Sequence, residues 1–158
     1  MIAGDAALRF RLDLREVPLP VWPMGIVADR FGSGDADEVE RLLIEVRADG
    51  LAGSPLAQHG WFERVRCDAE WDASLVILAR LQWDGAIVGV AHSRTGAFLK
   101  DLAVAPGERG RGLGAALVHE TARRFRERGA TRLDLKVNAR NEPARRLYGR
   151  LGFRLVAG

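Results

Sequence analysis

The chain has 158 residues, 47% of them hydrophobic and 28% charged, with a formal net charge of +3. Those values fit one soluble globular domain, residues 1–158, with a core of its own, and exclude a disordered or fibrous chain. A single cysteine, Cys67, excludes an internal disulfide and points to a cytoplasmic setting.

Residues 8–14 alternate Leu8, Phe10, Leu12 and Leu14 with Arg9, Arg11 and Asp13, the pattern of a half-buried strand. The connector that follows holds Pro18, Pro20 and Pro23, so residues 16–24 are expected to be extended. Residues 25–31 read as a second strand. Asp35 or Asp37 then caps a helix that carries Val39, Leu42, Leu43 and Val46 on one face and stops at Gly50. Pro55 is placed to open a short helix containing Trp61, Phe62 and Val65. Residues 75–83 and 86–93 read as strands joined by Asp84-Gly85, a strong short-hairpin signal. Arg94-Thr95-Gly96 turns the chain into an apolar strand over 97–104.

The most informative segment is Arg109-Gly110-Arg111-Gly112-Leu113-Gly114, between that strand and an amphipathic helix over 113–128. A glycine-rich turn entering a helix presents bare N–H groups at the positive end of the helix dipole, which suits a phosphate. Arg109 and Arg111 add charge of the matching sign. No Gly-Lys pair exists, so a Walker loop is excluded, and the turn comes too late in the chain for a dinucleotide fingerprint. Leu133, Leu135 and Val137 then alternate in a strand, Ala144, Leu147, Tyr148 and Leu151 form one stripe of a last helix, and 153–156 is a short strand.

Charge is distributed unevenly. Residues 108–154 hold 13 arginines and lysines against 5 acids, an excess of 8, which leaves the remainder at −5. A basic half suits a polyanionic cofactor, and an acidic half suits a cationic amine. Nucleic acid is a poor fit, because the arginines are not interleaved with aromatic residues in a recognisable binding motif. The first eight residues carry an acid and no long apolar run, so they do not read as a signal peptide, and the apolar run at 75–81 is too short to span a bilayer.

Downstream of the glycine-rich turn stands Asn141-Glu142-Pro143-Ala144-Arg145-Arg146-Leu147-Tyr148-Gly149-Arg150-Leu151-Gly152-Phe153. Together the two motifs resemble the GNAT superfamily of acetyl-CoA-dependent N-acetyltransferases. Arg109, Gly112 and Gly114 fit that family's Arg/Gln-x-x-Gly-x-Gly/Ala motif. Asn141, Ala144, Leu147, Tyr148, Gly152 and Phe153 fit its Asn-x-x-Ala-x-x-Leu-Tyr-x-x-x-Gly-Phe motif. The resemblance is specific over 97–154 and looser over 25–96. It implies a mixed, mostly antiparallel central sheet with helices on both faces, an acetyl-CoA co-substrate and no metal. The acceptor would be a small-molecule amine or a protein amino group.

The resemblance also implies roles. The backbone of Gly110, Gly112, Leu113, Gly114 and Ala115, with Arg109 and Arg111, would hold the diphosphate. The pantetheine arm would lie along Leu102, Ala103 and Val104, with the Leu102 N–H polarising the thioester carbonyl. Asn141 and Ala144 would flank the arm, and Tyr148 would be the general acid, since a phenol's pKa of about 10 lies near that of an alkyl thiol. For the base, Asp101 and His92 are the candidates, and His59 and Glu63 lie in the unassigned acceptor region. A non-catalytic acyl-CoA sensor is the alternative, because it would need the same binding motifs.

One departure from the family is expected to matter. The family closes with a hairpin after Gly-Phe, and this sequence has no residues for its last strand. Residues 7–15 are extra and are expected to take the missing place, which otherwise leaves open strand edges. The connector of about ten residues spans about 35 Å when extended, enough to do so within one chain. A strand-swapped homodimer is the other arrangement.

Overall fold

The computed structural model describes residues 6–47 and 59–157. Seven strands form one sheet in the order β2-β3-β4-β5-β6-β1-β7. They are β1 (Ala7–Asp13), β2 (Ile26–Arg30), β3 (Val76–Leu81), β4 (Ile87–Arg94), β5 (Phe98–Val104), β6 (Arg132–Asn138) and β7 (Arg154–Ala157). Every neighbouring pair is antiparallel except β5 and β6.

β1 fills the expected place. It pairs with β6 along its whole length, from Ala7 opposite Asn138 to Asp13 opposite Arg132, and with β7 on its other edge. The pairing is within one chain. Its alternation explains it: Phe10 and Leu12 are buried in the main core, while Arg9, Arg11 and Asp13 take the other face. The proline-rich connector then crosses the outside of the third helix, where Arg126 Nη1 donates to Val17 O at 3.1 Å and Arg111 Nη2 to Met24 O at 2.6 Å.

The helices are α1 (Ala36–Arg47), α2 (Trp61–Val65), α3 (Leu113–Glu127) and α4 (Glu142–Arg150). α1 and α2 pack over β3, β4 and β5 on one face, around Val39, Leu43, Trp61, Leu78 and Val90. α3 and α4 cover the opposite face around Leu117, Phe125, Leu133 and Leu135. β4 is sandwiched between the two layers, which is why its residues 87–93 are all buried and its sequence shows no alternation.

Two local details differ from the sequence reading. The β3–β4 connection runs from Gln82 to Ala86, and within it Gly85 N–H donates to Leu81 O at 2.9 Å. Only its glycine takes a positive φ, so Asp84-Gly85 is not the two-residue type I′ turn, which needs both central residues there. At the start of α1, Asp35 reaches back to accept from Gly32 N–H at 2.9 Å rather than capping forward. The expected helix end at Gly50 and start at Pro55 lie outside the described residues.

Candidate active site

The site grows from a bulge. Between the pairs His92–Asp101 and Ser93–Leu99, β4 advances one residue and β5 two, so Lys100 is extra. The bulge switches the faces of β5. Leu99, Leu102 and Val104 point to the α3 side, while Asp101 and Ala103 point to the α1 side. β5 also parts from β6, since their parallel ladder holds only Phe98 opposite Asp134 and Leu99 opposite Leu135. Beyond it a gap opens.

Backbone donors line that gap. Ala105 N–H donates to Val88 O on β4 at 2.8 Å. Donors alternate in direction along a strand, so those of Val104 and Leu102 point away from β4 into the gap. Ala103 lies between them with its donor turned to β4 and its side chain in the α1-side core.

At the mouth of the gap α3 begins. Gly112 is its N-cap with φ +84° and no side-chain cap, and Ala116 N–H is the donor that reaches back to Gly112 O, at 3.0 Å. The preceding N–H groups of Leu113, Gly114 and Ala115 belong to the first turn, which has no intrahelical acceptors. A Cβ built on Gly110 or Gly112 would meet nothing within 4 Å, so the loop is open to solvent. Both glycines are there for their positive φ, +81° and +84°, which L-residues adopt at a cost. Arg109 lies over the strand end, its Nε donating to Val104 O at 3.4 Å. Arg111 is held by Glu108 and by Met24 O, so its guanidinium braces the loop against the connector.

On the far wall of the gap, Asn141 caps α4 by accepting from Ala144 N–H at 3.2 Å. Tyr148, about two turns along α4 from that cap, is buried with its ring 5.4 Å from that of Phe153.

The two base candidates meet. His92 Nδ1 lies 2.9 Å from Asp101 Oδ2, and Trp61 Nε1–H donates to the same oxygen at 3.0 Å. All three are buried. Trp61 and Trp71 rings stand 5.8 and 5.4 Å from the imidazole, and Phe31 and Phe62 extend the aromatic shell. Nothing in the spacing of four tryptophans foretells this shell, because α2 and the 66–72 loop bring it together. His59 and Glu63 are exposed and stand apart from the dyad's hydrogen bonds.

Among the described residues there is no cluster of three or more metal-ligating side chains, and no helix is long and apolar enough to cross a membrane. The described fold agrees with comparisons to known proteins. A mycothiol acetyltransferase from Beutenbergia cavernae is 37% identical over 135 residues, covering 80% of this chain and 44% of its own length. A streptothricin acetyltransferase from Streptomyces lavendulae is 41% identical over 147 residues, covering 89% of this chain and 61% of its own. The chain therefore spans about half the length of these relatives. A crystal structure of a GCN5-related N-acetyltransferase from Sphaerobacter thermophilus superposes with a TM-score of 0.80 at 27% identity, over 96% of this chain and 48% of that one. A tandem GNAT protein of clavulanic acid biosynthesis shares the fold, with a TM-score of 0.68 at 18% identity, over 98% of this chain and 51% of that one. The model of the acetyltransferase (GNAT) family matches residues 43–153, spanning bulge, gap, loop and α4, and the chain belongs to that family.

Proposed function

We propose that this chain transfers an acetyl group from acetyl-CoA to a primary amine by direct attack. The observation that carries the reading is the alignment of two sets of free backbone donors. Those of Leu102 and Val104 face the gap, and those of Leu113, Gly114 and Ala115 open α3 at its mouth. An extended amide-bearing arm ending in a diphosphate is the ligand such an array fits.

Acetyl-CoA supplies the acetyl group as a thioester. The loop backbone from Gly110 to Ala115 and the Arg109 guanidinium hold its diphosphate, while Arg111 keeps the loop in shape. The Leu102 N–H stabilises charge that develops on the carbonyl oxygen. The Asp101–His92 dyad, next to Leu102 on the sheet, takes the amine proton. With Asp101 ionised, Nδ1–H of His92 is the donor to it and Nε2 is the basic nitrogen. As the C–N bond forms and the C–S bond breaks, Tyr148 gives its proton to the leaving sulfur. Asn141 both caps α4 and borders the arm. The small molecules in the names of the relatives, mycothiol and streptothricin, support a small-molecule acceptor.

The test couples calorimetric binding of acetyl-CoA to thiol release with a panel of amines. Binding with amine-dependent release supports the reading. Tight binding without release on any amine makes the chain a sensor of acyl-CoA, and no binding removes the proposal.

A further inference from the structure

Among the described residues, α1 and α2 cover only the β3–β5 part of their side of the sheet. The apolar cluster beneath those helices contains no residue of β6, β1 or β7. On these three strands that face carries Arg9, Arg11 and Asp13 from β1, Arg132, Asp134 and Lys136 from β6, and Arg154 from β7.

The register sets like charges against each other. Arg9 stands directly opposite Lys136, and Arg11 lies between Asp134 on β6 and Arg154 on β7. Such pairs destabilise a sheet unless something compensates them. Asp13 offsets Arg132 and Arg154 at one end of this face, and one buried carboxylate compensates the Arg9–Arg11 end. Asp134 accepts from Arg9 Nε at 2.9 Å, and from Arg11 Nε at 2.8 Å and Nη2 at 2.9 Å, with Arg9 Nη2 also 2.8 Å away. Two guanidinium forks therefore share one carboxylate, and neither Nη1 is bonded to a described residue. Phe98 holds the Arg9 guanidinium 5.6 Å from its ring centroid. Exposed Lys136 has no ion-pair partner among the described residues. A clamped, partly exposed pair of forks with a free ammonium beside it is the donor set for a carboxylate or phosphate.

Its position links it to the reaction. Asp134 and Leu135 are the last β6 residues paired with β5, so Lys136 stands where the gap begins. Leu102 lies about 7–10 Å further along the strand direction at ordinary strand rise. An acceptor with its amine beside Asp101 and Leu102 reaches the cationic cluster with its other end.

We propose that Arg9, Arg11 and Lys136 form a subsite for an anionic group, carboxylate or phosphate, at the far end of the acetyl acceptor. This rests on the acetyl-transfer reading above. It also narrows the acceptor class: the acidic balance of the residues outside 108–154 suggests a cationic amine partner, whereas the sheet face beside the gap selects an amine with a negative end.

The experiment compares two matched pairs of acceptors, triglycine with triglycinamide and 6-aminohexyl phosphate with 6-aminohexanol. In parallel, the arginine Nε–H NMR signals are followed as each is added to the protein without acetyl-CoA. The expected result is a KM lower by about tenfold or more for at least one anionic member, with kcat little changed, and shifts of the Arg9 and Arg11 signals. A preference in one pair only names the carboxylate or the phosphate as the source. Lys136→Gln, which leaves the buried Asp134 pairs intact, is expected to cut that preference at least threefold without altering acetyl-CoA affinity. Equal KM values within both pairs, or a Lys136→Gln loss that falls on acetyl-CoA instead, overturns the subsite. A protein that binds no acetyl-CoA yet still shows the anion-dependent arginine shifts loses the transfer reading and keeps the subsite. One that binds acetyl-CoA and shows no shifts loses the subsite alone.

Discussion

His92 and Asp101 face each other across the β4–β5 ladder one step before the Lys100 bulge, Nδ1 to Oδ2 at 2.9 Å. The bulge makes this contact significant. It puts Asp101 on the α1 side of the sheet while its neighbour Leu102 belongs to the α3 side and turns its N–H into the gap. One irregularity thus places an acid–imidazole pair and a polarising amide side by side.

Trp61 is the third member of that group, and its indole N–H is tied to a carboxylate inside an aromatic shell. Trp61→Phe keeps a ring and removes the donor. A hydrogen bond to a buried charged group contributes about 1.5–3 kcal/mol, so the variant is expected to lose about 2 kcal/mol of unfolding free energy in urea. A loss below about 0.5 kcal/mol, within the range of ordinary surface substitutions, would show that the carboxylate finds another donor.

The loop glycines separate by mechanism. Gly112 has φ +84°, so Gly112→Ala is expected to cost about 1–2 kcal/mol of stability. Gly114 lies inside α3, and a Cβ there would sit 3.4 Å from Leu147 Cδ2, an ordinary contact. Gly114→Ala is therefore expected to change stability by no more than about 1 kcal/mol, since alanine is the better helix former. If the diphosphate lies on the first turn of α3, the same methyl group weakens acetyl-CoA about tenfold or more in calorimetry. A Gly114→Ala protein with unchanged acetyl-CoA affinity moves the diphosphate away from that turn.

Much of this was legible in the sequence because it is written locally. The alternation of Leu8, Phe10 and Leu12 reads as a half-buried strand, and that strand pairs with β6. The turn from Arg109 to Gly114 and the Asn141 cap follow from short motifs with fixed backbone demands. The contacts that build the candidate site were less legible because they depend on register. The Lys100 bulge leaves no composition signal, yet it decides which way Asp101 faces. Arg9 and Lys136 are 127 positions apart in the chain, and only the β1–β6 pairing makes them neighbours. Arg111 reads as a phosphate ligand in its own segment, whereas its Met24 contact comes from the distant connector.

Asp134 makes an acid-stability prediction. Its carboxyl is held below the ordinary 3.8, first by the Arg11 hydrogen bonds and then, against burial, by Arg9. A depressed folded-state pKa stabilises the fold above the unfolded value and loses that contribution as pH falls through the folded value. Asp134→Asn is therefore expected to lower the thermal midpoint at pH 7, and the difference from wild type is expected to shrink as the pH drops from about 4 toward 2. Arg9 and Arg11 are more than a third exposed or close to it, so solvent screening keeps the effect modest. A difference in midpoint that is the same at pH 7 and pH 2.5 would mean the ion pairs do not stabilise the fold.

Tyr148 separates chemistry from packing. Its ring lies in the main core against Phe153, and Tyr148→Phe preserves that contact. A core role alone predicts a small stability change and normal turnover. A general-acid role predicts a kcat lower by about a hundredfold or more with acetyl-CoA affinity held within about threefold, because general acids contribute about 10²–10⁴ to rate. The split can be sharpened with the leaving group. If the phenol protonates the departing sulfur, an acetyl thioester of a more acidic thiol needs that proton less, and the variant should recover part of its rate on it. Equal loss on both thioesters would leave Tyr148 as a residue that shapes the gap rather than one that donates to the sulfur.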